Sequence, residues 1–379
     1  MRALTRILLL VLVAAVAAEG WARFGLDVKP GAYPENTLAA ALGKFVEPDL
    51  VTGIRYKSNV DTLLQSPDGE FSVLYKTNEI NLRDRSMGTH LRSELKFLVL
   101  GDEFAEGWGV EIDEVAAVVA QKQVNEKTGL KPAVRLVIGA KSGYGAAQNY
   151  LQGKALIETL QPKGILFFYS SLMPYADQQF LATARLQDGL AIGATEQAPR
   201  ALHLEDYPPA ASGLLATLAP YSAAARWLGD QLRVSPAANG RLLGVRGNAD
   251  TIGKAHQASL KHVEALAALA KARNIPFLLV HVPLPTQVAA AEWRGGRARF
   301  GARDLAMDSA DVSVVAGFCK ARGLHWASPV EPLRAAANGN NARPLYFNTE
   351  IGFSAEGNRV FGTWLAGTLL DWMTTLGLR

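Results

Sequence analysis

The chain has 379 residues, 49% of them hydrophobic and 20% charged, enough apolar material for one large core or two domains. Its formal charge is only +4, its pI is near 9.0, and no dense Lys/Arg run occurs, which argues against nucleic acid as a partner. The single cysteine, Cys319, excludes an internal disulfide and a cysteine metal cluster.

Arg2 and Arg6 precede the apolar run Ile7–Ala18, which Glu19 closes. A basic start, an apolar middle and small residues at its end read as a secretory signal, with cleavage near Ala17–Ala18. The favoured reading of residues 1–23 is an uncleaved membrane anchor, its apolar span stretched from Leu4 to Trp21 and its interface marked by Trp21 and Arg23. Either reading sends the rest of the chain out of the cytoplasm.

Residues 24–95 form a lead-in rich in turn residues, such as Pro30–Gly31, Pro34–Glu35–Asn36 and Ser66–Pro67–Asp68–Gly69. Within it, Glu70–Tyr75 alternates polar and apolar residues as a half-buried strand does. From Lys96 onward, strands and helices alternate. Phe97–Leu100, Val134–Gly139, Gly164–Ser170, Ile275–Val282 and the weaker Gly323–Ala327 are short apolar runs suited to buried strands. Helices are expected at about 146–160, 253–273 and 312–322, and after the N-cap Ser354. A long excursion, 177–248, interrupts the alternation. Its Ala-rich helix over Ser212–Leu232 must break or kink at Pro220. The expected fold class is α/β, a three-layer α/β/α sandwich around about five parallel strands. The chain divides into 24–95, a first half 96–176, a helical insertion 177–248 and a second half 249–379.

The first of these strands ends in Gly101–Asp102–Glu103–Phe104, followed by Gly107, Gly109 and Val110. This stretch resembles the first block of the SGNH/GDSL hydrolases, in its cell-envelope branch, where a strand ends in Gly-Asp-Ser and the Ser is the nucleophile. The lead-in is similar to that branch as well: Asn78, Leu82, Arg83 and Asp84 match its Asn-x-x-Gly-Leu-Arg-Asp, with Asn81 in place of the glycine, and a strand packed on the sheet edge is expected there. The resemblance implies a flavodoxin-like sheet of five parallel strands, with an N-terminal extension and a helical insertion. It also implies an oxyanion hole made by a second-block glycine, here Gly143 within Ser142–Gly145, and a third-block Asn. Aligned on strand ends, that Asn position is Leu172. The last block resembles Tyr346–Asn358: Phe353, Ser354, Ala355 and Gly357 match the run after the catalytic His, which places Gly352 at the His and Thr349 at the Asp. Ser, Asn, Asp and His thus read as Glu103, Leu172, Thr349 and Gly352, and of the five positions only Gly143 keeps the family residue.

Other chemistries find little support. Asp102 and Glu103 are two adjacent carboxylates, but neighbours at a turn point apart, whereas a retaining glycosidase pair faces across about 5 Å. Asp102 is expected to tie up its own loop, and Glu103 to pair with Lys141 or another basic group as a polar plug. His256 and His262 fall on opposite sides of one helix rather than in metal-ligand spacing, and His90, His203 and His325 have no partner pattern. His281, at the carboxyl end of the fourth strand, is the one histidine placed to act as a substitute base, with Ser171 as a candidate hydroxyl. No metal or cofactor is expected.

Three functions follow as expectations. The first is a non-catalytic, pseudoenzyme-like envelope protein that binds a glycan or protein partners on the periplasmic side of the bacterial inner membrane, held there through residues 1–23 or secreted to the periplasm. The second is an active esterase or O-acetyltransferase on envelope polysaccharide or lipid, using other catalytic residues. The third is an accessory subunit of a membrane or secretion assembly. A glycan pocket calls for exposed aromatics near Glu103, with Trp108, Tyr144 and Tyr175 as candidates; a scaffold calls for a site filled by Leu172 and Met173.

Overall fold

The computed structural model describes residues 2–26, 28, 30, 41–66, 69–88, 94–196, 213–232, 240–302, 304–305, 307–339 and 342–378. Helix α1 (Arg2–Gly20) leads into a π-helical turn over Trp21–Gly25, and Thr5–Gly25 is long and apolar enough to cross a membrane. Two antiparallel hairpins follow, β1 (Val46–Asp49) with β2 (Gly53–Tyr56) and β3 (Asp61–Gln65) with β4 (Ser72–Lys76). Their inward residues Tyr56, Leu64, Val73 and Tyr75, with Phe45 just before β1, build a small core that also takes in Trp108 and Tyr144 from the main domain.

The main sheet is parallel. Its strands are β5 (Leu95–Leu100), β6 (Val134–Ile138), β7 (Gly164–Ser170), β10 (Phe277–Val282) and β11 (His325–Ala327), in the order β6-β5-β7-β10-β11. Numbered within the sheet, that order is 2-1-3-4-5, the flavodoxin-like arrangement expected. Side chains of a strand alternate between faces. Phe97 and Val99 of β5 accordingly join Phe168, Val280 and the helix residues Val118, Phe361 and Leu365 on one side, while Leu98 and Leu100 join Phe167, Leu279, Ile157, Val263 and Leu266 on the other. The first face is covered by α3 (Ala116–Thr128) and α13 (Ala355–Thr375), the second by α4 (Ala146–Leu160), α8 (Ala249–Ala272) and α11 (Asp311–Arg322). All of β7 is buried, which is why its sequence, GILFFYS, is apolar almost throughout.

Helix α13 starts where Ser354 caps it, its hydroxyl accepting the Gly357 N–H at 3.2 Å. Asn358 one turn in accepts the Ala116 N–H at 3.0 Å and so fastens α13 to the start of α3. A Cβ on Gly362 would lie 2.7 Å from the Ala116 carbonyl oxygen, so the two helices approach as closely as only glycine permits.

Two features differ from expectation. Residues 77–88 are turns rather than a strand on the sheet edge. The reason lies in their charges: Arg83 and Asp84 are buried and spend their hydrogen bonds on the main domain, not on a strand ladder. Asn81, standing where the family has glycine, has φ +65°, a left-handed conformation that Asn tolerates better than most residues. The excursion is also not purely helical. After α5 (Met173–Leu181) it makes a hairpin, β8 (Arg185–Gln187) with β9 (Leu190–Gly193), before α6 (Gly213–Leu218) and α7 (Ala223–Leu232), which break around Pro220 as expected. His90 and His203 lie outside the described residues.

Candidate functional site

The site is built at the carboxyl end of β5, where ligands of open α/β sheets bind. Gly101 ends the strand, Asp102 is the N-cap of the one-turn helix α2 (Glu103–Glu106), and Gly107 closes it with φ +79°. The Asp102 carboxyl group accepts the Phe104 N–H at 3.1 Å on one oxygen and the Ser170 hydroxyl on the other. It therefore ties its own loop, as expected. Burial, and next the charge of Glu103, push the Asp102 carboxyl up to about 8, against the downward pull of those hydrogen bonds.

That shift has a sign. Folded Asp102 keeps a proton that the unfolded chain releases, so its contribution to stability falls as the pH rises from about 4 to about 8. Asp102→Asn keeps the shape of the neutral acid and does not titrate. In urea unfolding the variant should gain on the parent by on the order of 4 kcal/mol between about pH 5 and pH 8. A difference that does not change with pH would contradict the assignment.

Glu103 lies fully inside. One carboxylate oxygen accepts the Gly143 N–H at 3.2 Å, and the other accepts from the Arg241 guanidinium at 2.9 Å, with both side chains buried. Gly143 has φ +73°, a conformation that turns its N–H toward the loop at low cost only for glycine. The expected partner Lys141 is not the one used. Its ammonium donates to Gln152 at 3.1 Å and lies over the rings of Tyr56 and Tyr144, and burial lowers its pKa to about 8. The partner is instead Arg241, delivered by the chain returning from the excursion.

Sequence reasoning missed Glu106, the last residue of α2. It is fully buried, accepts the Ser142 N–H at 2.7 Å and the Ser142 and Tyr75 hydroxyls, and so joins the first and second blocks to the lead-in. It also missed the role of Arg83, which donates to the carbonyls of Glu106 (2.8 Å), Gly107 and Val110 and stacks 4.4 Å over the Tyr75 ring. The signal was present in the Leu-Arg-Asp match, but nothing in a single sequence told which carbonyls it would reach.

The remaining candidates surround the loop without opening it. Leu172 and Met173 are buried, and so are Trp108, Tyr144 and Tyr175, which a glycan pocket would need to expose. Trp108 and Tyr144 pack in the lead-in's core, where the Tyr144 hydroxyl donates to Thr52 at 2.8 Å. Thr349 turns away from Glu103: its hydroxyl and N–H both bind the Glu70 carboxylate, at 2.7 and 2.9 Å. Gly352 is buried, and a Cβ there would meet the Phe347 ring and the Trp108 carbonyl oxygen at ordinary contact distance, 3.8 Å from each. Clefts of about 590 and 560 Å³ run along α8 and α11, and none of Asp102, Glu103, Gly143 or Leu172 lines them.

His281 sits in a second buried cluster, on the α8/α11 side of the sheet. Its Nδ1 is 3.1 Å from the Ser328 hydroxyl and its Nε2 3.5 Å from Asp311. Ser171 does not reach it; the Ser171 hydroxyl donates to Asp311, which also accepts from Gln287 at 2.9 Å. His281 and Asp311 are fully buried and Ser328 half-buried. His256 and His262 are buried too, but with separate partners: His256 bridges Tyr169 (2.7 Å) and the Gly244 carbonyl (2.8 Å), and His262 accepts the Ala191 N–H (3.0 Å). His325 is exposed.

Neither a protein-family model nor a curated protein matches the chain. Among solved structures it is similar to the psychrotrophic esterase EstA from Pseudoalteromonas sp., at 12% identity and TM-score 0.37, over 74% of this chain and 99% of that one. It is likewise similar to the acetyl xylan esterase AlAXEase, at 12% and 0.37 over 72% and 98%, and to Est24, a carbohydrate acetylesterase from Sinorhizobium meliloti, at 8% and 0.35 over 73% and 99%.

Proposed function

We propose that this chain is an SGNH-type domain whose family reaction has been lost, held at or exported across the bacterial inner membrane, and that it serves as a scaffold for protein partners in an envelope assembly. One observation carries the reading. Acyl transfer needs a hydroxyl nucleophile and free donors for the oxyanion. Here a carboxylate stands at the nucleophile position and itself takes the Gly143 N–H, while Arg241 neutralises it from the other side. The aromatic candidates for glycan contact are buried together with Leu172 and Met173, which favours protein partners over a sugar in the old site.

A second reading, an esterase or O-acetyltransferase acting on envelope polysaccharide or lipid through other residues, draws on the Ser328–His281–Asp311 arrangement. Hydrolysis of p-nitrophenyl acetate by the full chain separates the two. No turnover above buffer is expected, with or without His281→Ala. Turnover that His281→Ala or Ser328→Ala abolishes would overturn the scaffold reading in favour of the second.

A further inference from the structure

The end of α1 is built into the excursion. Glu19, which closes the apolar run, accepts the N–H groups of Ala223 and Ala224, each at 3.0 Å, and the Ser222 hydroxyl at 2.7 Å. Those are the otherwise unsatisfied donors at the start of α7, so a residue of α1 caps a helix about two hundred positions away. Arg23 completes the joint, pairing with Glu19 at 2.6 Å and reaching the Tyr221 carbonyl at 3.4 Å. The level at which the apolar helix ends is therefore also the level at which α6 and α7 meet.

Around that joint the surface is apolar and aromatic. Trp21 and Phe24 follow the helix, and Leu218, Tyr221, Trp227 and Leu228 come from the α6–α7 hairpin; Phe24 is 89% and Tyr221 79% exposed. Exposed apolar residues scattered singly need no cause, but a cluster on connected elements does. Trp and Tyr concentrate where a protein crosses from hydrocarbon to water, and a helix with one apolar face lies in that zone.

We propose that the α6–α7 hairpin is a lipid-docking element, seated in the headgroup region of the leaflet from which α1 emerges, so that the domain is held at a fixed attitude on the bilayer rather than tethered loosely. The occupant is the membrane surface, because the apolar helix that crosses it runs directly into this patch. The inference rests on α1 being an anchor and is independent of whether the domain is catalytic.

The test uses the full chain in vesicles of phosphatidylcholine and phosphatidylglycerol, with an environment-sensitive fluorophore on single introduced cysteines. Cys319 can stay, since it is buried and burial pushes its thiol up to about 11. Labels at Leu218→Cys, Tyr221→Cys and Trp227→Cys should shift to the blue and lose intensity to a lipid-borne nitroxide. A label at Leu186→Cys, exposed on the β8–β9 hairpin, should do neither. Val11→Cys reports on the anchor itself. If Val11 is in lipid while all three hairpin labels behave like Leu186, the docking inference is wrong and the anchor stands. If Val11 is in water as well, the anchored reading falls and the inference with it.

Discussion

Glu103→Gln should cost the folded chain about 3–5 kcal/mol, Arg241→Met about as much, and the double variant clearly less than the sum of the two. The asymmetry follows from where the pair sits. Both side chains are almost wholly out of water. Desolvating two charges offsets most of their attraction, so the intact pair contributes little net stability. Removing one partner leaves the other buried and uncompensated, which is the costly state. Glu103→Gln keeps an oxygen for the Gly143 N–H and strips only the charge, so its loss reports on Arg241. Arg241→Met fills similar volume without a donor, so its loss reports on Glu103. Urea unfolding of the four proteins gives the coupling. Strict additivity would mean that the two charges are compensated elsewhere, and that Glu103 is not a plug held by Arg241.

Arg83→Met should be equally damaging, at about 3–5 kcal/mol, through a different mechanism. Arg83 is one of the largest fully buried side chains described, and three backbone carbonyls of the first block, those of Glu106, Gly107 and Val110, point to its guanidinium. Each carbonyl left without a donor costs roughly 1–3 kcal/mol when buried. Methionine restores the packing over Tyr75 but supplies no donors, so the loss measures the hydrogen bonds rather than the volume. Lysine should recover only part, because a single ammonium lacks the planar fork that serves carbonyls at separate angles. A loss below about 1 kcal/mol for Arg83→Met would show that the loop closes without it.

The sheet was legible because parallel strands buried on both faces must be largely apolar, and Phe97–Leu100, Gly164–Ser170 and Ile275–Val282 are, but for Ser170 and His281 at their carboxyl ends. Its strand order came from the resemblance and not from periodicity. The loop at Asp102–Glu103 was legible as a site, since a Gly-Asp turn after a buried strand marks the carboxyl edge. The partner of Glu103 was not. Lys141 is nearer in sequence and belongs to the adjacent block, but its stem packs among Tyr56, Tyr144 and Gln152, whereas Arg241 arrives from a region with no family pattern to align. The alternation of Glu70–Tyr75 does mark a strand, β4, but the sheet-edge strand expected at Asn78–Asp84 is absent because Arg83 and Asp84 are spent on the main domain instead. Trp108 and Tyr144 were read as ligand contacts from their closeness to the loop. Only the lead-in's own core, invisible without the fold, shows that they are spent on packing.

The most direct test of a lost reaction is whether any serine in the folded chain is nucleophilic. The full chain would be treated with a fluorophosphonate, which adds covalently to activated serine hydroxyls, and its intact mass measured. No adduct is expected: the nucleophile position is Glu103, and Ser142, Ser170 and Ser171 donate to the carboxyl groups of Glu106, Asp102 and Asp311 rather than to a histidine. A stoichiometric adduct on one serine, Ser328 above all, lost on unfolding and lost in His281→Ala, would contradict the reading and make this chain a hydrolase with a relocated site.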